Sequence, residues 1–233
     1  MKKIFSILIC LLTVCSVVFA TPVDKMTKLQ ALNAARMHFA LKSVEGIVYN
    51  VYIISDDEEY IGNKYFWAES QFEENWQGHY HIYIAPQNKP DEIVRQDVAL
   101  EKNRPYHRST MILNITSPTL NGFYIIKGKQ DWPDFLFFKQ RACGSSSFSS
   151  STFAIKHGKV QEIEYQNVDG EIFTPNNGRK SPYYTAEGDI AFPWWTNALE
   201  TRGSYITVYR FDKTKMLLQA LYTVKQTKVI SYK

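Results

Sequence analysis

Hydrophobic and polar residues alternate along most of the chain, and a period of two is typical of half-buried β-strands. In one stretch Tyr65, Trp67 and Glu69 share a face, while Phe66 and Ala68 point the other way. The pattern predicts strands over residues 46–55, 64–72, 79–85, 92–98, 111–116, 122–127, 134–140, 151–156, 160–165, 189–195, 204–211, 216–224 and 229–232. Aromatic residues, which suit pleated surfaces, make up 15% of the chain, so we predict a mainly antiparallel protein.

Only one segment has a clear helical period. Thr27 and Gln30 form a capping box, and the predicted helix continues to just before Gly46, with Lys42 near its negative end. Its apolar face consists of Leu29, Leu32, Ala35 and Phe39. We predict the α+β class, with this N-terminal helix packed on a β-meander and a sandwich- or propeller-like β-rich half after it.

Three regions are predicted: a leader over residues 1–20, the helix and meander over 21–108, and a β-rich region over 109–233. The boundary falls in the charged, strand-poor stretch 99–108. Residues 134–138 resemble 189–192, and 153–160 resemble 209–216, which suggests repeated three-stranded units with a third candidate over 64–98. The serine-rich stretch 145–151 is predicted to be a mobile loop.

The leader has the features of a secretory signal peptide. Lys2 and Lys3 precede an apolar run, and Ala20 ends it with a small residue at the cleavage position. Two alternatives are an uncleaved membrane anchor and lipidation at Cys15, although Val14 is not the small residue that a lipobox has at that place. We predict a periplasmic or secreted protein.

Charge and cysteine content narrow the function further. Cleavage after Ala20 removes Lys2 and Lys3 and leaves 25 basic and 23 acidic residues, without a basic run. This near-neutral balance argues against a nucleic-acid partner, which needs clustered Lys and Arg. Cys143 is the only cysteine after residue 20, so no internal disulfide can form and an apolar core must supply the stability.

The candidate binding residues are aromatic and lie near predicted strand ends. They are Trp132, Trp194, Trp195, Tyr183 and Tyr184. Such side chains, when exposed, stack on sugar rings or anchor a protein partner, and the alternative is a core cluster beneath loops. Adjacent strand residues point to opposite faces, so one of Trp194 and Trp195 is expected to be buried, and we favour Trp195.

Other chemical candidates have ordinary structural interpretations that we favour. Asp134 and Asp189 open strands and could form a carboxylate pair for glycoside hydrolysis. His79 and His81 share a strand face and could bind a metal, but no third ligand is evident. The acidic turn 56–59 lacks the spacing of a calcium loop. We predict neither a metal site nor a cofactor.

Cys143 could act as a nucleophile served by His107 or His157. No recognisable signature surrounds it, and the neighbouring serines do not form a nucleophile elbow. We interpret it as a structural thiol.

Residues 24–98 carry a resemblance at the level of element order. A helix and a strand are followed by 65–69 (Tyr-Phe-Trp-Ala-Glu) and by 78–84 (Gly-His-Tyr-His-Ile-Tyr-Ile). This order resembles cystatin-like and NTF2-like domains, whose exported members include protease inhibitors and immunity proteins. The resemblance implies a helix-plus-meander fold and assigns no functional residue.

We therefore expect an exported, non-enzymatic bacterial protein that binds another protein, most specifically a periplasmic inhibitor or a toxin-immunity protein. A carbohydrate- or envelope-binding module and a secreted hydrolase are the alternatives.

We predict that the exported protein begins at Thr21, because the charged, apolar and small-residue segments end at Ala20. N-terminal sequencing of the extracytoplasmic protein tests this. A product that starts at a lipid-modified Cys15, or one that keeps Met1, would contradict it.

Overall fold

The computed structural model describes residues 25–62, 74–100, 110–119, 122–129, 131–141, 148–173, 180–196 and 198–226. Within these residues the chain forms one short helix and eighteen strands in four sheets. All strand pairs are antiparallel except β13 (Glu164–Gln166) with β18 (Leu217–Lys225). The predicted α+β, mainly antiparallel class is confirmed.

Sheet 1 carries the helix α1 (Lys28–Ala34) on its outer side. Its strands, in spatial order, are β1 (Lys25–Met26), β7 (Ile93–Arg95), β6 (Tyr80–Pro86), β3 (Val48–Ser55) and β2 (Ala35–Lys42). Ala31 of α1 is fully buried and belongs to one cluster with Tyr52 and Tyr83 of this sheet.

The capping box of α1 is confirmed, but the predicted length and buried face of the helix were wrong. Thr27 N donates to Gln30 Oε1 at 2.9 Å, whereas Leu29 and Leu32 are exposed. The chain leaves the helix at Ala35 and forms β2, because a ladder of seven residue pairs with β3 pairs the backbone polar groups of this segment. On β2, Met37, Phe39 and Leu41 alternate towards the core.

A small sheet lies next to sheet 1. It consists of β4 (Glu59–Tyr60), β5 (Asn75–Gly78) and β8 (Met111–Asn114). Met111 and Leu113 of β8 join the cluster that contains Val51 and Ile82 of sheet 1.

Sheet 2 is a four-stranded meander that is apolar on both faces. Its strands, in spatial order, are β12 (Lys159–Glu162), β11 (Phe148–Lys156), β10 (Phe135–Arg141) and β9 (Gly122–Ile126). Leu136 and Phe138 belong to the cluster shared with sheet 1, and Phe135 and Phe137 to the cluster shared with sheet 3. Sheet 2 is therefore the middle layer of the protein.

Sheet 3 is the third layer. Its strands, in spatial order, are β14 (Ile172–Phe173), β13, β18, β17 (Gly203–Asp212), β16 (Ile190–Thr196) and β15 (Tyr183–Tyr184). Ile190, Phe192 and Tyr209 point towards sheet 2 and bury aromatic and aliphatic surface against it. The layer order is thus α1, sheet 1, sheet 2, sheet 3.

Hairpin turns from the three large sheets contact one another at one end of the stack. The backbone N–H of His157, in the β11–β12 turn, donates to Glu45 Oε1 in the β2–β3 turn at 3.0 Å. Lys156 Nζ donates to the carbonyl oxygens of Lys213 and Thr214 in the β17–β18 turn, at 3.0 and 2.8 Å. These hydrogen bonds link the three sheets and, together with the core, fix their positions relative to one another.

Several predictions can be compared with these elements. The serine-rich stretch 145–151 was predicted to be a loop, and this is wrong for the part that the structure describes. Residues 148–151 are in β11, and Ser150 and Ser151 are buried. The predicted leader and the predicted strands 64–72 and 229–232 lie outside the described residues. Residues 101–108 of the predicted boundary also lie outside them, and one core cluster includes residues from both sides of that boundary.

The predicted repeat has a counterpart in strand order. β9 to β12 and β15 to β18 are both four-stranded antiparallel meanders, and Asp134 and Asp189 each directly precede the second strand. A common origin of the two units stays a prediction.

We expect Phe137→Ala and Phe138→Ala each to lower the free energy of unfolding by about 3–5 kcal/mol, since each empties a different interlayer space. Urea unfolding measures both. Leu199→Ala, at a position that is 96% exposed, is the control and should change stability by less than about 0.5 kcal/mol. A cost below about 1 kcal/mol for either phenylalanine would contradict a middle sheet buried on both faces.

Candidate functional site

The five predicted binding residues do not form one cluster. Trp132 and Tyr184 lie together at one end of the interface between sheets 2 and 3, with ring centroids 5.9 Å apart. Trp132 also meets the edges of Phe135 and Phe211. Trp132 and Tyr184 are partly buried and pack against the core cluster between sheets 2 and 3. This agrees with the alternative that the aromatic residues form a core cluster beneath loops.

The loop that carries Trp132 is held by a buried carboxylate. Asp134 accepts hydrogen bonds from the backbone N–H groups of Lys42 and Gly128, at 2.9 and 2.8 Å, and from Lys127 Nζ at 2.8 Å. A Cβ on Gly128 would lie 2.3 Å from the carbonyl oxygen of Trp132, so only glycine fits there. Asp134 thus joins the edge of sheet 1 to sheet 2.

Trp194 lies on the side of sheet 3 that faces sheet 2. Its ring stacks on Tyr205 with centroids 4.6 Å apart, and its Nε1 donates to Thr207 Oγ1 at 3.0 Å. Lys225 Nζ lies 5.7 Å from the centre of the Tyr205 ring. Trp194 is partly buried in this arrangement.

Trp195 is the exposed member of the pair, with 42% of its surface accessible, so the expectation that it is buried was wrong. The physical reason is strand parity: Ile190 and Phe192 face sheet 2, and Trp194 follows them in steps of two. Trp195 therefore points away from the core.

The side of sheet 3 that faces away from sheet 2 is here called the outer face. Side chains at paired positions on neighbouring strands share a face. One row across it consists of Tyr183, Ala191, Val208 and Tyr222. A second row consists of Pro193, Ile206 and Val224, and Trp195 follows in a third. None of these residues belongs to a described core cluster.

The middle of the first row is buried, and the aromatic residues at its two ends are exposed. Ala191 and Val208 are only 1% and 4% exposed, whereas Tyr183 and Tyr222 on either side are 47% and 48% exposed. The two tyrosines are three strand spacings apart, about 14 Å. Sequence reasoning identified Tyr183 and Trp195 but missed Tyr222 and Val224, whose alternation in β18 was a usable signal.

The remaining carboxylate candidate has its own basic partner. Asp189 is buried, and its two oxygens accept from Arg210 Nε and Nη2 at 2.9 and 2.8 Å. This bidentate pair raises the pKa of Arg210. Asp134 and Asp189 precede strands of different sheets, and each has its own hydrogen-bond partners.

The two histidines of the predicted metal pair bind different groups. His79 lies between β5 and β6, with its Nδ1 against Asp57 Oδ2, and its backbone N–H donates to Asp57 Oδ1 at 2.8 Å. Partial burial opposes ionisation of Asp57, but hydrogen bonds from His79 and Ser55 lower its pKa to about 2. His81 contacts Arg95 Nη2 through Nδ1 at 3.0 Å. In the described ranges no group of three or more His, Cys, Asp or Glu could hold a metal ion.

The acidic turn 56–59 contacts basic and aromatic side chains. Glu58 forms an ion pair with Arg36, whose guanidinium lies 3.5 Å from the centre of the Trp76 ring, and it accepts from Tyr80 Oη at 2.8 Å. These contacts join β2, β5 and β6. Cys143 and His107 lie outside the described residues, and His157 pairs with Glu45.

No family model, curated protein or solved structure matches the chain. The cystatin-like and NTF2-like resemblance of residues 24–98 stays a prediction. Among the described helices, none is long and apolar enough to span a membrane.

We expect Trp194→Ala to lower the free energy of unfolding by about 2 kcal/mol, because it removes a ring stack and a hydrogen bond. Trp195→Ala should cost less than about 0.5 kcal/mol, because the ring is exposed. Chemical unfolding of both variants side by side tests this. Equal losses near 2 kcal/mol would show that both rings are structural.

We expect the stability of the protein to fall as the pH drops below about 6.5, in part through His81. Burial lowers the pKa of His81, and Arg95 adds to the effect, so the folded state binds this proton more weakly than the unfolded state. His81→Gln should reduce the loss of stability between pH 7 and pH 5. Unfolding free energies measured at both values test this, and an unchanged pH dependence would contradict it.

Proposed function

We propose that the chain is an exported, non-enzymatic binding protein whose outer face contacts a protein partner. In its most specific form it is a periplasmic inhibitor or a toxin-immunity protein. The observation that carries the proposal is the group of exposed rings Tyr183, Trp195 and Tyr222, which share one face with the apolar residues Pro193, Ile206 and Val224.

The chemistry of this face supports a protein partner. Tyr and Trp are the residues that most often dominate binding energy at protein interfaces, and they do so beside apolar surface that excludes water. A contiguous apolar patch on a protein surface commonly marks an interaction site. Val224, which is 47% exposed, and the partly exposed Pro193 and Ile206 supply that apolar surface beside the rings.

The carboxylates support a role other than hydrolysis. A glycoside hydrolase places two carboxyl groups on opposite sides of one bond, about 5–10 Å apart. Asp134 is occupied by three donors and Asp189 by one guanidinium, and both are buried. These bonds explain both residues as parts of the framework.

A carbohydrate ligand is the second candidate. The stacked rings of Trp194 and Tyr205 have Lys225 beside them, and Thr223 is exposed on the same side of sheet 3. Aromatic rings with neighbouring hydroxyl and amino donors can bind a sugar. Binding of a cell-envelope polysaccharide that is lost in Tyr205→Ala would favour this candidate.

The test of the proposed function is site-specific photo-cross-linking in the protein's own host. A cross-linking amino acid replaces Trp195 in one strain and Leu199, which is 96% exposed but lies between β16 and β17, in the control strain. We expect a discrete product with a different protein from position 195 and none from position 199. No product with another protein, or equal products from both positions, would overturn the proposal.

The identity of the cross-linked protein distinguishes a toxin-immunity protein from a periplasmic inhibitor. A secreted toxin encoded beside this chain would support immunity, and a protease would support inhibition.

A further inference from the structure

We infer that the protein partner contributes an extended segment that pairs, as an additional strand, with an open edge of β18. The inference rests on the proposed function, because it names how the same partner binds at the margin of the outer face. Its starting point is residues 221–225 of β18, here called the exposed run, in which every residue is exposed. One side of the run pairs with β17, and neither of its faces is covered by described residues.

The other edge of β18 is paired along only part of its length. Its first three residues, Leu217 to Gln219, pair with β13. The register with β17 then shifts between Ala220 and Tyr222, where β18 has one extra residue. In the part of the chain that the structure describes, no strand pairs with the exposed run on the side opposite β17.

The backbone groups that face this open edge belong to Thr223 and Lys225. The N–H of Gln226 donates to the carbonyl oxygen of Ser204 in β17 at 2.8 Å. Hydrogen-bonding direction alternates along a strand, so Val224, two residues earlier, also directs its N–H and C=O towards β17. Thr223 and Lys225 direct theirs the opposite way. An extended chain segment is the ligand that offers acceptors and donors at the same intervals.

Two other sheet edges of the protein are capped or blocked. On β2 the carbonyl oxygen of Ala40 accepts from Lys127 Nζ at 2.7 Å, and the N–H of Lys42 donates to Asp134 Oδ2 at 2.9 Å. On β16 the two-residue pairing with β15 is followed by Pro193, which has no N–H to donate. Strand edges without such protection pair readily with other chains, and the exposed run contains no proline.

The side chains of the exposed run define the chemistry of the added segment. Tyr222 and Val224 lie on the outer face. Thr223 and Lys225 lie on the opposite side, where Lys225 Nζ is 5.7 Å from the centre of the Tyr205 ring. Neighbouring strands favour apolar pairs and pairs of opposite charge. We therefore expect an alternating segment, apolar beside Tyr222 and Val224 and acidic beside Lys225.

A partner explains the open edge better than a second copy or the chain's own end. Pairing of two β18 edges would join about five residues from each copy, whereas a standard interface uses about 20–30 a side, and it would leave Tyr183 and Trp195 exposed. A return of the chain after β18 would need a tight turn. Gln226, Thr227 and Lys228 include none of the Gly, Asn or Asp residues that such turns favour.

Removal of one edge-facing N–H tests the inference. Thr223→Pro removes that N–H and leaves the hydrogen bonds to β17 in place, because an edge strand tolerates proline where its N–H faces solvent. Thr223→Ala is the matched control, since it removes the same hydroxyl group and keeps the N–H. With the cross-linking amino acid at position 195, we expect Thr223→Pro to lower the yield of the product at least about tenfold and Thr223→Ala less than about threefold.

The outcomes separate this inference from the proposed function. An undiminished product in Thr223→Pro would overturn strand addition and leave the proposed function standing, and equal losses in both variants would also overturn strand addition. No product with another protein would overturn both.

Hydrogen exchange is a second measurement, which needs no variant. In the isolated exported protein we expect the amides of Thr223 and Lys225 to exchange at least about tenfold faster than those of Tyr222 and Val224, at both about 1 and about 100 μM. The protein identified by the cross-link should slow the exchange of Thr223 and Lys225 at least about tenfold, and unchanged exchange would overturn the inference.

Slow exchange of these two amides in the isolated protein would also overturn it. Protection at both concentrations would assign the edge to the chain's own residues, and protection at the higher concentration alone would assign it to a second copy.

Discussion

Burial of sheet 2 on both faces is the constraint on which the rest of the structure depends. Phe135 to Phe138 are four consecutive apolar residues, and in a strand such a run needs a partner surface on each side. Sheets 1 and 3 are those surfaces. With Cys143 as the only cysteine after the predicted leader, the two interlayer clusters carry the stability that small exported proteins often obtain from disulfides.

Stacking of three sheets leaves two outward-facing sheet surfaces, and they differ in what covers them. Helix α1 covers sheet 1 by inserting the small residue Ala31, while the outer face of sheet 3 presents Trp195 and Tyr222 to solvent. The two buried carboxylates each have a structural partner. Asp134 joins sheets 1 and 2 through backbone donors, and Asp189 anchors Arg210 on sheet 3. Binding at the outer face is therefore compatible with an undisturbed core.

The sequence predicted most strands because apolar and polar residues alternate, as in β17, or because the segment is almost entirely apolar, as in β3. It failed at 35–42, where Ala35 and Phe39 also fit a helical period, and pairing with β3 decided the outcome. Parity could have assigned Trp194 to the inner side, because Ile190 and Phe192 precede it in steps of two. The outer face could not be predicted as a site, since Tyr183 and Tyr222 come to share one row of one face only through the register of four strands.

Native-state hydrogen exchange tests the central claim, that the three sheets form one interdependent core. The slowest amides of β3, β10 and β17 come from the three layers. We expect these amides to exchange with the same free energy, equal to the global free energy of unfolding. Exchange of β3 at a free energy clearly below that of β10 and β17 would show that residues 21–108 unfold independently, which would contradict the account.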